Sequence, residues 1–126
     1  MGSIIFSAHQ KHVSPLVNKN RTKRLEDTLK LVAIDYRKLT GMYEGIEEES
    51  FIISDRFYLF ADKIAYDYKQ DSILMHSVQQ NGLQIAFLKF TDNRPDMYLG
   101  ELKSSSSRPT GDFSFSKDNN LYYYIA

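Results

Sequence analysis

One short turn of the chain concentrates groups that could bind a cation. Residues 43–49 comprise Tyr43, four glutamates, Gly45 and Ile46, in a chain with sixteen basic and sixteen acidic residues. Carboxylates can pair with a positive charge, and a tyrosine ring can lie against it. Acidic clusters of this kind are also common on solvated hairpin loops. The turn alone therefore leaves a cation site and a surface loop both open.

Composition excludes several other classes of chemistry. The chain has no cysteine, which removes disulfides, thiolate catalysis and cysteine-ligated metals. Its six glycines form neither GxGxxG nor GxxxxGK[ST], so the usual phosphate cradles are missing. His9 and His12 stand three positions apart without a third ligand nearby, and we expect no metal.

Charge and hydropathy indicate the compartment and the partners. The formal net charge is zero, so no overall field favours nucleic acid, although the basic residues between positions 19 and 24 could meet phosphate. No apolar run is long enough to span a bilayer, and no membrane partner is expected. We therefore expect a soluble, cytoplasmic protein.

Hydrophobic periodicity predicts the elements that position the acidic turn. Leu25, Leu29 and Val32 follow helical spacing, and Asn81-Gly82 is typical of a tight hairpin turn. The predicted elements, in chain order, are a strand at 4–8, a helix at 20–33, strands at 34–43 and 51–53, a helix at 57–68, and a hairpin of 72–79 with 83–90. The acidic turn joins the second strand to the third.

This order predicts an α+β fold. β-α-β-β-α-β is the plan of ferredoxin-like domains, with two helices on one face of an antiparallel sheet. We expect one domain over residues 1–126, with a flexible loop at about 103–111 and a C-terminal β hairpin at 112–126. The sheet face without helices would be covered in an oligomer. The aromatic hairpin could extend the sheet of the monomer or lie at a subunit boundary.

Four short motifs occur together in one order along the chain. They are Ser7-Ala8, Leu39-Thr40-Gly41-Met42-Tyr43, Glu48-Glu49, and Gln70-Asp71-Ser72-Ile73-Leu74. In this order and spacing the chain resembles the phage-encoded enzymes that cleave S-adenosylmethionine (SAM), called SAM lyases and formerly SAM hydrolases. The Gly-Asp-Phe segment at Gly111 is similar to the C-terminal part of those enzymes.

The resemblance implies a reaction and an assembly. It implies a lyase that converts SAM to 5′-methylthioadenosine and L-homoserine lactone, through attack of the substrate's own carboxylate on its γ-carbon. SAM is then the substrate, and no cofactor is required. The resemblance also implies a homotrimer with active sites at subunit interfaces, and an anti-restriction role in the cytoplasm of a bacterial host.

The same resemblance nominates site residues. It implies catalytic roles for a glutamate of the acidic turn and for a tyrosine, with the remaining polar positions binding substrate. The catalytic candidates are Glu48, Glu47, Tyr43 and Tyr36, and the substrate-binding candidates are Ser7, Glu49, Gln70, Asp71 and Ser72. The segment between Tyr43 and the glutamates is shorter here than in the phage enzymes, so the choice among the three glutamates stays open.

The sequence leaves two alternatives to a SAM lyase. A SAM hydrolase would use the glutamate as a general base on water and release homoserine directly. A non-enzymatic ferredoxin-like ligand-binding module would share the fold without the activity. The pattern Glu-x-Ser-Phe and Gln-x-Ser, carried here by Glu48 and Gln70, also occurs in small bacterial domains of that kind.

Overall fold

The protein is a closed antiparallel β barrel with two helices on its outside. The computed structural model describes residues 2–126, and its eight strands follow the order β1-β3-β2-β7-β8-β6-β5-β4 around the barrel. The strands are β1 Gly2–Phe6, β2 Arg37–Tyr43, β3 Ile46–Ser54, β4 Ser72–Val78, β5 Gln84–Phe90, β6 Met97–Ser105, β7 Phe113–Ser116 and β8 Leu121–Ile125. Helix α1 spans Pro15–Leu31, and α2 spans Tyr58–Asp67 after a 3₁₀ turn at Asp55–Phe57.

The predicted ferredoxin-like α+β fold is wrong. A ferredoxin-like sheet has four strands and two open edges, whereas here β5 pairs with β4 at one edge and β7 pairs with β2 at the other. Strands β6 and β8 join these two extensions and close the sheet. The expected uncovered sheet face is therefore the inner wall of a barrel. Periodicity predicts strands and helices, but it does not reveal whether the edges of a sheet meet.

The hydrophobic core lies between the helices and the outer wall of the barrel. Outward-facing side chains of β1, β3 and β4 pack against the inward faces of α1 and α2. The fully buried members of this core include Ile4, Leu25, Leu29, Phe51, Ala61 and Ala65. Burying large aliphatic and aromatic side chains contributes roughly 1.5–3 kcal/mol each, so this layer fixes the helices to the barrel. Neither helix in the described part of the chain has the length and apolarity to cross a lipid bilayer.

Most elements begin and end close to the predicted positions, with three exceptions. Strand β3 begins at Ile46 and not at residue 51, and β6 was not predicted and extends into the segment 103–111 that was expected to be a flexible loop. Helix α1 begins at Pro15 and not near residue 20, because Ser14 caps it by accepting a hydrogen bond from the Val17 amide at 3.2 Å. The β4–β5 hairpin turns at Asn81-Gly82 as predicted, with Gly82 at φ +84°. The aromatic hairpin β7–β8 extends the sheet of the monomer, between β2 and β6.

Alternation along the strands assigns side chains to the two walls. Ser3, Ile5 and Ser7 follow the inner wall from β1, while Ile4 and Phe6 point to the helices. These inward-facing residues of β1 mark the two ends of the barrel. Ser7 lies at the end where β1 finishes, and Ser3 lies at the end where β1 begins.

Candidate active site

A serine and a glutamate from distant parts of the chain meet at the first of these ends. The Ser7 hydroxyl donates a hydrogen bond of 2.6 Å to Glu48 Oε1 and accepts one of 3.0 Å from the His9 amide. Only 4% of Ser7 is exposed, whereas Glu48 is partly exposed. The contact engages Oε1, so Oε2 is the oxygen with which a ligand can pair. The carboxylate is held in place and still reachable.

The alternation of β3 separates Glu48 from its neighbours. Glu48 pairs with Gly41 of β2 and shares the inner wall with Ser50 and Ile52. Glu47 and Glu49 fall on the outer wall and are exposed. The structure thus brings one glutamate of the acidic turn to Ser7 and directs the two beside it away.

Tyr43 joins Glu48 by folding back over a glycine. A Cβ atom on Gly41 would lie 2.1 Å from Tyr43 Cε2 and 2.8 Å from the Tyr43 hydroxyl, so the ring occupies the space that glycine leaves empty. The hydroxyl reaches Ser114 Oγ of β7 at 2.5 Å. Gly41 pairs with Glu48 on one side and with Ser114 on the other. Three strands therefore bring a carboxylate, a phenol and a hydroxyl to one patch of the inner wall.

The environment of Tyr43 keeps its phenol protonated. Burial raises the pKa of Tyr43 above its ordinary value, and the negative charges of Glu48 and Asp112 act in the same direction. The hydrogen bond with Ser114 opposes this rise in the pKa but does not outweigh it. Tyr43 is therefore a neutral hydrogen-bonding group near neutral pH.

The segment after α2 supports this patch through the backbone. Gln70 Nε2 donates to the His9 carbonyl oxygen at 2.7 Å, and His9 in turn contacts Ser7 through its amide. The register of β1 with β4 pairs Ile5 with Leu74, which brings Ser72 alongside Ser7 at the same end of the barrel. Gln70 and Ser72 thus lie next to the patch.

Asp71 and Tyr36 lie elsewhere. The Asp71 side chain is exposed, and its carbonyl oxygen accepts hydrogen bonds from Thr91. Tyr36 packs edge-on against Phe51 at 5.6 Å in the core layer and donates a 2.6 Å hydrogen bond to Glu26 of α1. Burial, together with that carboxylate, raises the pKa of Tyr36 to about 12. Its hydroxyl joins α1 to the barrel and is not directed to Glu48.

Sequence reasoning missed two members of the patch. Ser114 was not nominated, although it is 7% exposed and holds the Tyr43 hydroxyl. Asp112, which accepts a 2.9 Å hydrogen bond from the Glu44 amide, secures the acidic turn from the same segment. The Gly-Asp-Phe resemblance at Gly111 was the available signal, but the pairing of β2 with β7 crosses about seventy positions and leaves no trace in local spacing.

Together these features define a class of protein. It is a small antiparallel β barrel whose inner wall, at one end, presents a carboxylate, a neutral phenol and two hydroxyls. Such a patch can pair with a cationic group and donate hydrogen bonds to an anionic one.

The comparison with family models identifies the family. Residues 4–126 match the model of the S-adenosylmethionine lyase family, and the chain therefore belongs to that family. The resemblance deduced from the four motifs is thus confirmed. Membership supports SAM cleavage as the activity of the chain. A search of curated proteins finds no significant match.

Proposed function

We propose that this protein is a SAM lyase that forms 5′-methylthioadenosine and L-homoserine lactone. Membership in the SAM lyase family supports SAM as the substrate. The observation that carries the assignment of the site is the Ser7–Glu48 contact, because it fixes a carboxylate on the inner wall beside the Tyr43 phenol. SAM offers two positive charges, a sulfonium and an α-ammonium, and such a carboxylate is suited to either.

The proposed step is an intramolecular displacement. One oxygen of the substrate carboxylate attacks the γ-carbon, the bond from that carbon to sulfur breaks, and its electron pair stays on sulfur. 5′-Methylthioadenosine leaves as a neutral thioether, while the lactone keeps the α-ammonium. Because an anion and a cation neutralise each other, the transition state carries less charge than the bound substrate and is favoured by a site with little water.

The change in charge decides which cation Glu48 should hold. A carboxylate against the sulfonium would stabilise the substrate more than the transition state, because the sulfonium charge disappears during the step. Such binding lowers KM but also lowers kcat, because the barrier from the bound substrate rises. The α-ammonium keeps its charge throughout, so pairing it with Glu48 orients the substrate at no cost to the barrier. We therefore assign the α-ammonium to Glu48 Oε2.

Tyr43 is assigned to the reacting chain of the substrate. Its phenol stays neutral and is held by Ser114, so it can donate a hydrogen bond from a defined position. Folding the methionine chain so that its carboxylate approaches the γ-carbon costs entropy. If the bound substrate already has this conformation, the activation barrier can be lower by several kcal/mol. Ser7, Gln70 and Ser72 complete the proposed substrate-binding set at this end of the barrel.

Chromatography of SAM incubations tests the proposal. The wild-type protein should release 5′-methylthioadenosine, and the lactone should precede homoserine at early times under conditions where the lactone persists. Homoserine appearing first would exclude the intramolecular route and favour a hydrolase in which Glu48 activates water. Binding of SAM without any product would leave only a ligand-binding module.

Glutamate variants test the assignment of the site. Glu48→Gln should reduce kcat/KM by roughly a hundredfold, mainly by raising KM, because it removes the charge that pairs with the ammonium in both the bound substrate and the transition state. Glu47→Gln and Glu49→Gln are matched controls on the outer wall of the same strand, and they should keep most of the activity. Full activity of Glu48→Gln would remove the inner-wall patch from the mechanism.

We further propose a homotrimer, with active sites near subunit boundaries, that serves anti-restriction by depleting SAM in the cytoplasm. The helices cover the barrel only beside β1, β3 and β4, while the opposite outer wall carries an aromatic cluster of Phe113, Phe115 and Tyr122. Phe113 is buried beneath this wall, while Phe115 and Tyr122 are partly exposed and can contact another subunit. Light scattering on active protein tests the assembly, since full turnover by a strict monomer would contradict it. Protection of unmodified DNA from SAM-dependent restriction in cells tests the role.

A further inference from the structure

The short segment that follows β1 is held by side chains of other elements. The pairings of β1 end at Phe6, and residues 8–10 then accept and donate hydrogen bonds to side chains of α1 and of the loop after α2. Ser7 lies between the strand and this segment, and its hydroxyl accepts a hydrogen bond from the His9 amide. The position of the Ser7 hydroxyl, and through it that of Glu48, therefore depends on what holds residues 8–10.

Arg21 of α1 binds this segment and the end of α2 at the same time. Its Nε donates a hydrogen bond of 2.6 Å to the Ala8 carbonyl oxygen, and its Nη2 donates one of 2.6 Å to the Tyr68 carbonyl oxygen. Its Cζ atom also lies 5.2 Å from the centre of the Tyr68 ring. Because the donors of a guanidinium form a rigid planar fork, the two carbonyl oxygens are held in one arrangement. Arg21 thus joins α1, the end of β1 and the end of α2.

The positive charge of Arg21 makes these contacts strong. Tyr68 caps the C-terminus of α2, where carbonyl oxygens lack partners within the helix and the helix dipole favours a cation. Hydrogen bonds from a charged donor are also stronger than those between neutral groups. A neutral side chain of similar length could fill the space of Arg21, but it could not hold Ala8.

Two amide side chains hold the residues next to Ala8. Gln70 Nε2 donates to the His9 carbonyl oxygen at 2.7 Å. Asn18 accepts from the Gln10 amide at 2.8 Å and donates to the Gln10 carbonyl oxygen at 2.9 Å. Gln70 lies two positions after Tyr68, so Arg21 fixes both of the backbone segments that the contact between Gln70 and His9 connects. Loss of Arg21 should therefore loosen that contact as well.

The basic residues between positions 19 and 24 are divided between the surface and the interior. Arg21 is half-buried and lies four positions before the fully buried Leu25, on the face of α1 that is directed to the barrel. The three exposed cations are Lys19, Lys23 and Arg24. A cluster that could meet phosphate thus directs one of its four cations towards the segment beside Ser7.

We propose that Arg21 is a positioning residue of the site. It fixes the backbone of Ala8 and His9, so that the Ser7 hydroxyl holds the Glu48 carboxylate in the place where the ligand meets it. This inference deepens the proposed function and rests on it for the effect on SAM, but not for the effect on the His9 amide.

Amide hydrogen exchange, resolved by NMR on the full chain, tests the positioning without substrate. Arg21→Met keeps a long side chain but has no donors, so the His9 amide should exchange roughly tenfold faster than in the wild type. The amides paired between β4 and β5 should be unchanged, since only a general loss of stability would affect them. Arg24→Met, which removes an exposed cation of the same helix, is the matched control. Unchanged exchange of the His9 amide in Arg21→Met would overturn the inference, whether or not the protein cleaves SAM.

Steady-state kinetics with SAM tests the link to the site. Arg21→Met should raise KM roughly tenfold and change kcat less, because Glu48 pairs with the ammonium in both the bound substrate and the transition state. A role in stability alone would lower the fraction of active protein, so apparent kcat would fall at an unchanged KM. That result would overturn the proposal. Arg24→Met should keep both constants of the wild type.

A double-mutant cycle tests whether Arg21 acts through Ser7. In Ser7→Ala, which already lacks the hydroxyl, Arg21→Met should raise KM by less than about twofold further, and fully additive effects would overturn the proposal. If Arg21→Met does not fold, Arg21→Lys replaces it, because lysine keeps the charge but lacks the fork of donors for two carbonyl oxygens. A wild-type protein that does not cleave SAM would contradict the proposed function, and the exchange of the His9 amide would then decide the inference alone.

Discussion

Replacing Gly41 with alanine should damage catalysis far more than stability. An alanine Cβ would lie 2.1 Å from Tyr43 Cε2, whereas an ordinary carbon contact is about 3.5 Å. The added methyl group therefore forces the tyrosine ring to move by about 1.4 Å. A movement of this size breaks the 2.5 Å contact between Tyr43 and Ser114.

The stability terms of this substitution nearly cancel. Loss of one hydrogen bond costs about 0.5–1.5 kcal/mol. Alanine within a strand regains about 0.5–1 kcal/mol relative to glycine, and the backbone at Gly41 does not have the positive φ that would strain an alanine. We expect the free energy of unfolding to change by less than about 1 kcal/mol.

The kinetic effect has no such compensation. Displacing a positioning group by about 1 Å can cost a hundredfold in rate, which corresponds to about 2.7 kcal/mol of barrier. The release of 5′-methylthioadenosine from SAM measures turnover, and chemical denaturation measures the free energy of unfolding. Thr40→Ala is the matched control, since Thr40 is the adjacent residue of β2 and points to the outer wall. It should leave turnover unchanged.

A folded Gly41→Ala protein with wild-type kcat would mean that the position of the Tyr43 ring is unimportant. Tyr43→Phe and Ser114→Ala then form a double-mutant cycle, because the two hydroxyls act as one unit only if their losses are not additive.

Three further predictions concern the framework of the site. Tyr36→Phe should destabilise the fold by about 1 kcal/mol at pH 8 through loss of the hydrogen bond to Glu26. Because folding raises the pKa of Tyr36 from 10 to about 12, the wild-type protein should lose stability between pH 10 and 12, and the variant should lose less. Identical pH profiles of the two proteins in chemical denaturation would contradict this. Leu25→Ala should cost about 2–5 kcal/mol by denaturation, since Leu25 is fully buried under α1, and a smaller loss would mean that α1 contributes little. Ser7→Ala should weaken SAM binding by freeing the Glu48 carboxylate, with an unchanged KM as the contrary result.

Local patterns predicted most of the elements that surround the site. The helical spacing of Leu25 and Leu29 and the hairpin at Asn81-Gly82 agree with the structure. The acidic segment does join two paired strands, although its turn is only Glu44-Gly45 and the other three glutamates lie within β3. These features depend on neighbours within a few positions, so a single sequence contains the information needed to predict them.

The closure of the barrel depends on pairings that local patterns do not encode. Strand β7 pairs with β2, and β8 pairs with β6, across long stretches of chain. The same limit applied to the glutamates. Which of them faces inward depends on the register that sets Glu48 against Gly41, and a shift of one residue would exchange the two walls. The motifs Ser7-Ala8 and Glu48-Glu49 were recognised separately, while their contact became visible only in three dimensions.

The insertion of β7–β8 between β2 and β6 has a consequence for the order of folding. These are the last strands in the described chain, and until they dock, β2 and β6 expose unpaired edges on which other chains can add. Pairing such distant segments is slow, because closing the long loop between them costs conformational entropy. Since Ser114 lies in β7, the Tyr43 ring gains its partner only when the hairpin docks. A refolding chain should therefore recover its helices well before its activity, and the interval between the two is when it is most prone to aggregate.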